Sequence, residues 1–128
     1  MLRCLSGYAV VVCLLTLAMS APAAAFTASF SWAGIPACQS VSPAFVLRDV
    51  PAGTKRLRFM MTDLDVPSFH HGGSTVPYAG GAVPRGAIRY TGPCPPAGQR
   101  HRYRWTVEAL DAAGKVLAIT TATAPFPP

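Results

Sequence analysis

The sequence predicts an all-β protein, built as a small β-sandwich or open barrel, and three observations support this prediction. Apolar residues recur at every second position in three separate segments, which is typical of half-buried strands. No stretch of ten or more residues after position 25 has helical spacing, and thirteen prolines and eleven glycines interrupt the chain. With 128 residues, 51% of them hydrophobic and 12% charged, the chain is expected to form one globular domain and not a disordered polymer.

The first 25 residues predict a secretory signal peptide. Arg3 gives a positive start, residues 5–19 are nearly all apolar, and Ala23-Ala24-Ala25 matches the small-residue pattern of a cleavage site. We therefore expect cleavage near Ala25, export to the periplasm or the extracellular space, and a mature domain at 26–128. An uncleaved membrane anchor is the alternative, although the apolar run is short for a bilayer span of about 20 residues.

Alternating apolar residues predict three longer strands, at 26–32, 55–62 and 102–110. The inner face of the middle strand continues to Asp63, and the inner face of the last strand carries His101 and Tyr103. These three side chains are therefore expected to point into one cavity. A carboxylate buried there must be paired or hydrogen-bonded, and either His71 or His101 is its expected partner.

The remaining elements are shorter or irregular. Short strands are predicted at 45–48 and 87–90, and a turn at 111–114 leads into a return strand at 116–123. The Pro- and Gly-rich stretch between Asp63 and Ala87 predicts a long loop of the kind that often carries function. The prolines at 125–128 predict an end that joins no strand ladder and frays.

Several motifs in order resemble the phosphatidylethanolamine-binding protein family, most closely its exported bacterial branch, which is also described as Raf-kinase-inhibitor-like. They are CQSVSP at 38–43, VPAGTK at 50–55, DLDVPSFHHGG at 63–73, YTGPCPP at 90–96 and HRYRWTVEALDAAGKVLA at 101–118. The resemblance implies a β-sandwich with one small anion-binding cavity at one end, in agreement with the all-β prediction.

The resemblance also implies a set of ligand-binding residues, namely Asp63, Asp65, Pro67, His71, Pro93, His101 and Tyr103. In such a pocket the histidines and the Tyr103 hydroxyl would donate hydrogen bonds to a phosphate or carboxylate. Asp63 would orient a histidine or accept a hydrogen bond from an ammonium head group. The implied ligand is a small anion or a phospholipid head group, bound without catalysis, metal or other cofactor.

The chain also departs from the family pattern. The family usually continues from its histidine into an apolar strand, whereas here GGSTVP at 72–77 interrupts that strand. The usual extensions and C-terminal helix are missing, so the domain is expected to be small, with few of the helical additions and a more open pocket.

Cysteine usage predicts one disulfide. Cys4 and Cys13 lie in the signal peptide, and an exported chain is expected to oxidise its remaining pair, Cys38 and Cys94, to each other. Two free buried thiols are the alternative.

The same residues allow other function classes. Asp63, Asp65, His71 and His101 include enough nitrogen and oxygen ligands for a metal-assisted phosphoesterase, and the family name suggests an inhibitor of a kinase or protease. The arginines of the predicted strands share an outward face without interleaved aromatic residues, which disfavours nucleic-acid binding. A ligand-binding module without catalysis is the expected function.

Overall fold

The computed structural model describes residues 17–128. Most of the predicted signal peptide, at 1–16, lies outside the described residues, and residues 17–25 are exposed and belong to no strand. Between residues 17 and 128 the chain contains no helix that is both long and apolar enough to span a bilayer.

The all-β prediction is confirmed by two antiparallel sheets. One sheet has two strands in the order β1-β2, and the other has four strands in the order β4-β3-β5-β6. The strands are β1 at Thr27–Phe30, β2 at Phe45–Arg48, β3 at Arg56–Asp63, β4 at His70–Pro77, β5 at His101–Leu110 and β6 at Val116–Phe126.

Strand alternation builds the core between the two sheets. The inward residues of β3 and β5 pair directly across the ladder, for example Phe59 with Val107. Phe45 of the smaller sheet packs against them, with its ring centroid 4.9 Å from that of Phe59 and 5.4 Å from that of Trp105. These aromatic contacts join the sheets and leave the arginine-bearing face of β3 and β5 outside.

The predicted long loop between Asp63 and Ala87 is wrong in part, because β4 occupies its centre. Gly73 pairs with Met60 of β3, and a Cβ atom on Gly73 would lie 1.8 Å from the carbonyl oxygen of Phe59. The absence of a side chain at Gly73 therefore allows β3 and β4 to lie close together, and this glycine does not indicate a loop.

The strand predicted at 87–90 is absent, although Ile88 and Tyr90 are buried and Ala87 is partly buried. Its polar groups bond to residues 41–42 outside any strand ladder: the backbone N–H of Ile88 donates to the hydroxyl of Ser42 at 3.1 Å, and the hydroxyl of Tyr90 donates to the carbonyl of Val41 at 3.0 Å. This segment is a connection that packs against the core. Its apolar residues are explained by that packing and not by pairing in a sheet.

The predicted fraying of the C-terminal prolines is also wrong, since β6 continues to Phe126. Pro125 pairs with Arg102, whose backbone N–H donates to the Asp65 carboxylate and whose carbonyl accepts from the N–H of Leu64. The N–H and C=O groups of Arg102 therefore point toward the β3 side and not toward β6. Because Arg102 makes no backbone hydrogen bond to Pro125, the missing N–H of the proline leaves no bond unmade. Proline is tolerated at such an edge position, and Phe126 is buried beyond it.

The predicted disulfide between Cys38 and Cys94 is confirmed. Its Cα atoms lie 4.4 Å apart, and it closes a loop with a sequence separation of 56. Both cysteines are exposed. The bond ties the segment before β5 to the turn that precedes β2.

Candidate functional site

A cavity of about 340 Å³ lies at the end of the four-stranded sheet where β3 ends and where β4 and β5 begin. The loop between β3 and β4 and the segment before β5 complete its wall. The lining residues are Asp63, Val66, Phe69, His71, Cys94, Pro96, His101 and Tyr103. Four polar side chains thus face four apolar ones in a single pocket.

Asp63 is the last residue of β3, is buried, and lies opposite Tyr103 in the β3–β5 register. Its Oδ1 accepts from the backbone N–H groups of Asp65 at 2.9 Å and Val66 at 3.1 Å, and its Oδ2 lies 2.7 Å from Nδ1 of His101. Burial alone would raise the pKa of the Asp63 carboxyl, but these hydrogen bonds outweigh it and lower the pKa below its usual value. Asp63 is therefore a satisfied carboxylate.

His101 uses both ring nitrogens within the protein. Nδ1 donates to Asp63, and Nε2 lies 2.9 Å from Oε1 of Gln99. A carboxylate can only accept, so Nδ1 carries the proton that it donates to Asp63, and Nε2 is occupied by the Gln99 amide. The carboxylate of Asp63 is thereby hydrogen-bonded inside the cavity wall.

Gln99 was missed by the sequence reasoning. It lies two residues before His101, and this even spacing is the only sequence signal that would have placed it on the same side of the chain. Its exposed amide occupies the His101 nitrogen that would otherwise be available to a ligand.

His71 is the second residue of β4, on a strand and not in the predicted loop. Its Nδ1 donates to the carbonyl of Thr91 at 2.7 Å, and its Nε2 has no hydrogen-bond partner among residues 17–128. The ring is buried between two aromatic neighbours, with centroids 4.6 Å from Phe69 and 5.4 Å from Tyr103. A carbonyl can only accept, so the neutral ring carries its proton on Nδ1 and presents Nε2 as an acceptor.

Tyr103 lines the cavity and is 1% exposed. Burial raises the pKa of its hydroxyl, and the charge of the neighbouring Asp63 raises it further. The hydroxyl therefore stays protonated and remains a hydrogen-bond donor.

The other residues implied by the resemblance lie around the cavity without lining it. Asp65 is exposed, and its carboxylate accepts from the backbone N–H of Arg102 at 2.7 Å, which anchors the loop. Pro67 is exposed in the same loop. Pro93 is fully buried, and its carbonyl accepts from the N–H of Cys38 at 2.8 Å. Cys94 and Pro96 are the residues of this segment that line the cavity, and Pro93 lies behind them.

The four ligands considered for a metal do not form one group. Within the described part of the chain, no three His, Cys, Asp or Glu side chains come together at a distance suited to one metal ion. The Asp65 carboxylate accepts from the backbone N–H of Arg102 and the His71 ring donates to the carbonyl of Thr91, whereas the side chains of Asp63 and His101 pair with each other.

Solved structures show the same fold. The phosphatidylethanolamine-binding protein homolog CT736 from Chlamydia trachomatis superimposes with a TM-score of 0.55 at 22% identity, over 69% of this chain and 82% of that chain. YbcL from E. coli, described as a member of the mammalian PEBP family, gives a TM-score of 0.52 at 20% identity, over 68% and 80%. A search of curated protein sequences found no match.

The family resemblance read from the motifs is confirmed independently. The family model described as phosphatidylethanolamine-binding protein matches residues 18–125, which is most of the chain and includes every cavity-lining residue. The two solved structures, described as PEBP homologs, share the fold. The chain therefore belongs to the phosphatidylethanolamine-binding protein family.

Proposed function

We propose that the protein binds small phosphate- or carboxylate-bearing molecules, including phospholipid head groups, in this cavity without altering them chemically. The observation that supports this function best is that Nε2 of His71, which has no hydrogen-bond partner among residues 17–128, lies beside the protonated hydroxyl of Tyr103. A protonated His71 and Tyr103 offer two donors to one anionic oxygen or phosphoryl group.

The charge state of the wall is compatible with an anion. Asp63 would repel one if it were unpaired, but His101 and two backbone N–H groups already compensate it. A carboxylate oxygen can accept more than one hydrogen bond, so Asp63 also remains able to accept from an ammonium group. A zwitterionic head group would satisfy both parts of the site.

The size and the apolar half of the wall favour a small organic ligand. Small-molecule pockets usually measure roughly 300–1,000 Å³, and this cavity lies near the lower limit. Val66 and Phe69 stand at the loop side of the cavity and are 41% and 51% exposed. They would contact the carbon part of a ligand whose anionic group reaches His71.

Export is part of the proposal. The Cys38–Cys94 disulfide is typical of oxidising compartments, and the N-terminal sequence has the pattern of a signal peptide. We therefore place the protein in the periplasm or the extracellular space, with no nucleic-acid partner.

The test is an NMR titration of the purified protein with inorganic phosphate and, separately, with phosphoethanolamine. We expect dissociation constants in the millimolar to micromolar range, about −4 to −8 kcal/mol, with shifts centred on His71 and Tyr103. Arg56→Ala, on the exposed face of β3, is the control and should bind like the wild type. If Arg56→Ala abolished binding of these ligands and His71→Ala left it unchanged, the assignment of the site to the cavity would be wrong.

The absence of catalysis is tested in the same samples. Phosphoethanolamine should remain intact by ³¹P NMR during prolonged incubation. Release of inorganic phosphate that stops when a chelator is added would instead support the phosphoesterase alternative.

A further inference from the structure

The disulfide forms part of the wall of the ligand cavity. Cys94 lines the cavity together with His71 and Tyr103, and its partner Cys38 does not belong to the lining set. Both cysteines are exposed. A small molecule in the cavity therefore meets the bond from the Cys94 side.

Local contacts connect Cys94 to the two side chains that are proposed to hold an anion. Burial raises the pKa of the Tyr103 hydroxyl, and a hydrogen bond from the backbone of Cys94 acts in the opposite direction. Three residues before Cys94, Thr91 exchanges two hydrogen bonds of 2.7 Å with His71. The short segment 91–94 thus contacts both anion donors and carries a sulfur atom of the disulfide.

Cys38 occupies a backbone conformation that favours opening of the bond. Its φ of 61° lies in the left-handed region, which is strained for a residue that has a Cβ atom. Two restraints act on Cys38: the disulfide, and the hydrogen bond of 2.8 Å from its N–H to the carbonyl of Pro93. Breaking the S–S bond removes one of them and allows the strain to relax, which favours Cys38 as the leaving group.

We propose that the cavity directs small thiol-bearing carboxylates to this disulfide and captures them by thiol–disulfide exchange at Cys94. The capture rests on the proposed function, because His71 and Tyr103 would hold the carboxylate while the thiol reaches the sulfur of Cys94. Exchange rates depend on access to the attacked sulfur, and positioning of a reactant accelerates its reaction. The ligand class is an organic acid with its thiol a few bonds from the carboxylate.

The exchange is balanced within three sulfur atoms. The ligand thiolate forms a bond to Sγ of Cys94, the Cys38–Cys94 bond breaks, and its electron pair leaves on Sγ of Cys38, which takes up a proton from water. The ligand sulfur is oxidised and the Cys38 sulfur is reduced. No further oxidant or reductant is consumed.

The capture is reversible because the two cysteine segments remain in contact. A Cβ atom on Gly92 would lie 1.8 Å from the carbonyl oxygen of Gln39, so these segments pack closely at their backbones. The free Cys38 thiolate therefore stays near Cys94 and can attack the mixed disulfide, which releases the ligand.

The experiment follows the mixed disulfide in the native protein by mass spectrometry after quenching with N-ethylmaleimide. The two probes are 3-mercaptopropionate, which carries a carboxylate, and 2-mercaptoethanol, which is neutral. Each initial rate is divided by the rate of the same thiol with hydroxyethyl disulfide, which has no anion site, so that intrinsic reactivity cancels. We expect a preference of about tenfold for 3-mercaptopropionate, as for one hydrogen bond to an anion, with the ligand on Cys94 and the maleimide on Cys38.

Acetate tests the same point without any substitution. It should slow the exchange of 3-mercaptopropionate more than that of 2-mercaptoethanol, because it competes for the anion donors. His71→Ala should lower the preference for the carboxylate, and His70→Ala, at the exposed neighbouring position, should retain it.

Equal normalised rates for the two thiols, or the ligand on Cys38 with the maleimide on Cys94, would overturn the capture. An NMR titration with acetate separates this failure from failure of the proposed function. If acetate shifts the His71 signals while both thiols react equally, the capture alone is wrong. If acetate leaves the His71 signals unchanged, the anion site is wrong and the capture is wrong with it.

Discussion

His71 and Thr91 hold each other through two reciprocal hydrogen bonds, from the N–H of Thr91 to the carbonyl of His71 and from Nδ1 of His71 to the carbonyl of Thr91, each 2.7 Å long. The pair fixes both the backbone and the ring at the edge of the cavity. It also fixes the tautomer, because a carbonyl cannot donate. Nε2 of His71 is therefore the ring atom available to a ligand, and it can donate only when the ring is protonated.

Replacing His71 should remove one of the two donors. His71→Ala is expected to weaken phosphate binding by about 1–3 kcal/mol, the usual cost of a lost hydrogen bond to a charged acceptor. Isothermal titration calorimetry measures the change. The neighbouring His70 is exposed, so His70→Ala is the matched control and should bind normally. Equal losses in both variants would indicate general attraction by positive charge.

Anion binding should take up protons at His71. Because neutral His71 presents an acceptor at Nε2, an anionic oxygen gains a hydrogen bond there only if the ring binds a proton. Acetate has no proton of its own to donate at neutral pH, so calorimetry with acetate in buffers of different ionisation enthalpy should show uptake of up to about one proton per bound ligand. Tyr103→Phe should retain the uptake, and His71→Ala should abolish it. A buffer-independent enthalpy in the wild type would contradict this coupling.

Removing the Gln99 amide should strengthen binding. Gln99→Ala frees Nε2 of His101 from the glutamine amide, so a bound anion could accept a hydrogen bond from this atom when the ring carries both protons. We expect affinity to rise roughly two- to tenfold, the range of one modest hydrogen bond. Gln39→Ala provides the same substitution at another exposed site and should leave affinity unchanged. Weaker binding by Gln99→Ala would mean that the glutamine itself contacts the ligand.

Asp63 should contribute stability that is lost in acid. Its folded-state pKa is lowered, so its contribution is present above the unfolded-state value near 3.8 and disappears as the pH falls through the lower folded-state pKa. Asp63→Asn should be less stable than the wild type at pH 7, by about 1–3 kcal/mol, and the gap should narrow below pH 3.8. Denaturant unfolding across pH measures this.

The control for this prediction is Asp49→Asn. Asp49 is exposed and has a φ of 53°, a conformation that asparagine also tolerates. Its stability curve should follow that of the wild type. A stability gap for Asp63→Asn that is constant down to strongly acidic pH would show that ionisation of Asp63 is not its source.

Loss of the disulfide should destabilise the fold and loosen the cavity wall. Closing a loop of this length contributes roughly 4 kcal/mol on the chain-entropy view. Cys38→Ser with Cys94→Ser should lower the free energy of unfolding by about that amount. It should also broaden the NMR signals of His71, whose partner Thr91 adjoins the tethered segment. Unchanged stability in the double variant would contradict this role.

Strand parity was sufficient to place the centre of the site. The alternation in β3 and β5 predicted that Asp63, His101 and Tyr103 share an interior face, and the structure brings them together. Parity could not choose the partner of Asp63 between His71 and His101, because that choice depends on how the loop before β4 folds.

The errors arose where a residue type has two uses. Gly73 signals a loop in the sequence but permits a close strand contact in the structure. Pro125 signals the end of a ladder, yet it occupies a position whose backbone faces outward. In both cases the deciding fact is the neighbouring strand, which local sequence does not contain.

The disulfide has a consequence for resistance to proteolysis. Asp63 and His71 lie inside the loop that it closes, whereas His101 and Tyr103 follow that loop in the chain. A cut in the exposed connection 65–69 leaves both fragments covalently joined, so the site can survive it. Residues 96–100 are also exposed, but only the peptide chain crosses them to the second half of the site. Cleavage there leaves the two halves joined only by the β3–β5 pairing, without a covalent link. This short segment is therefore the point at which a protease would break the covalent continuity of the cavity.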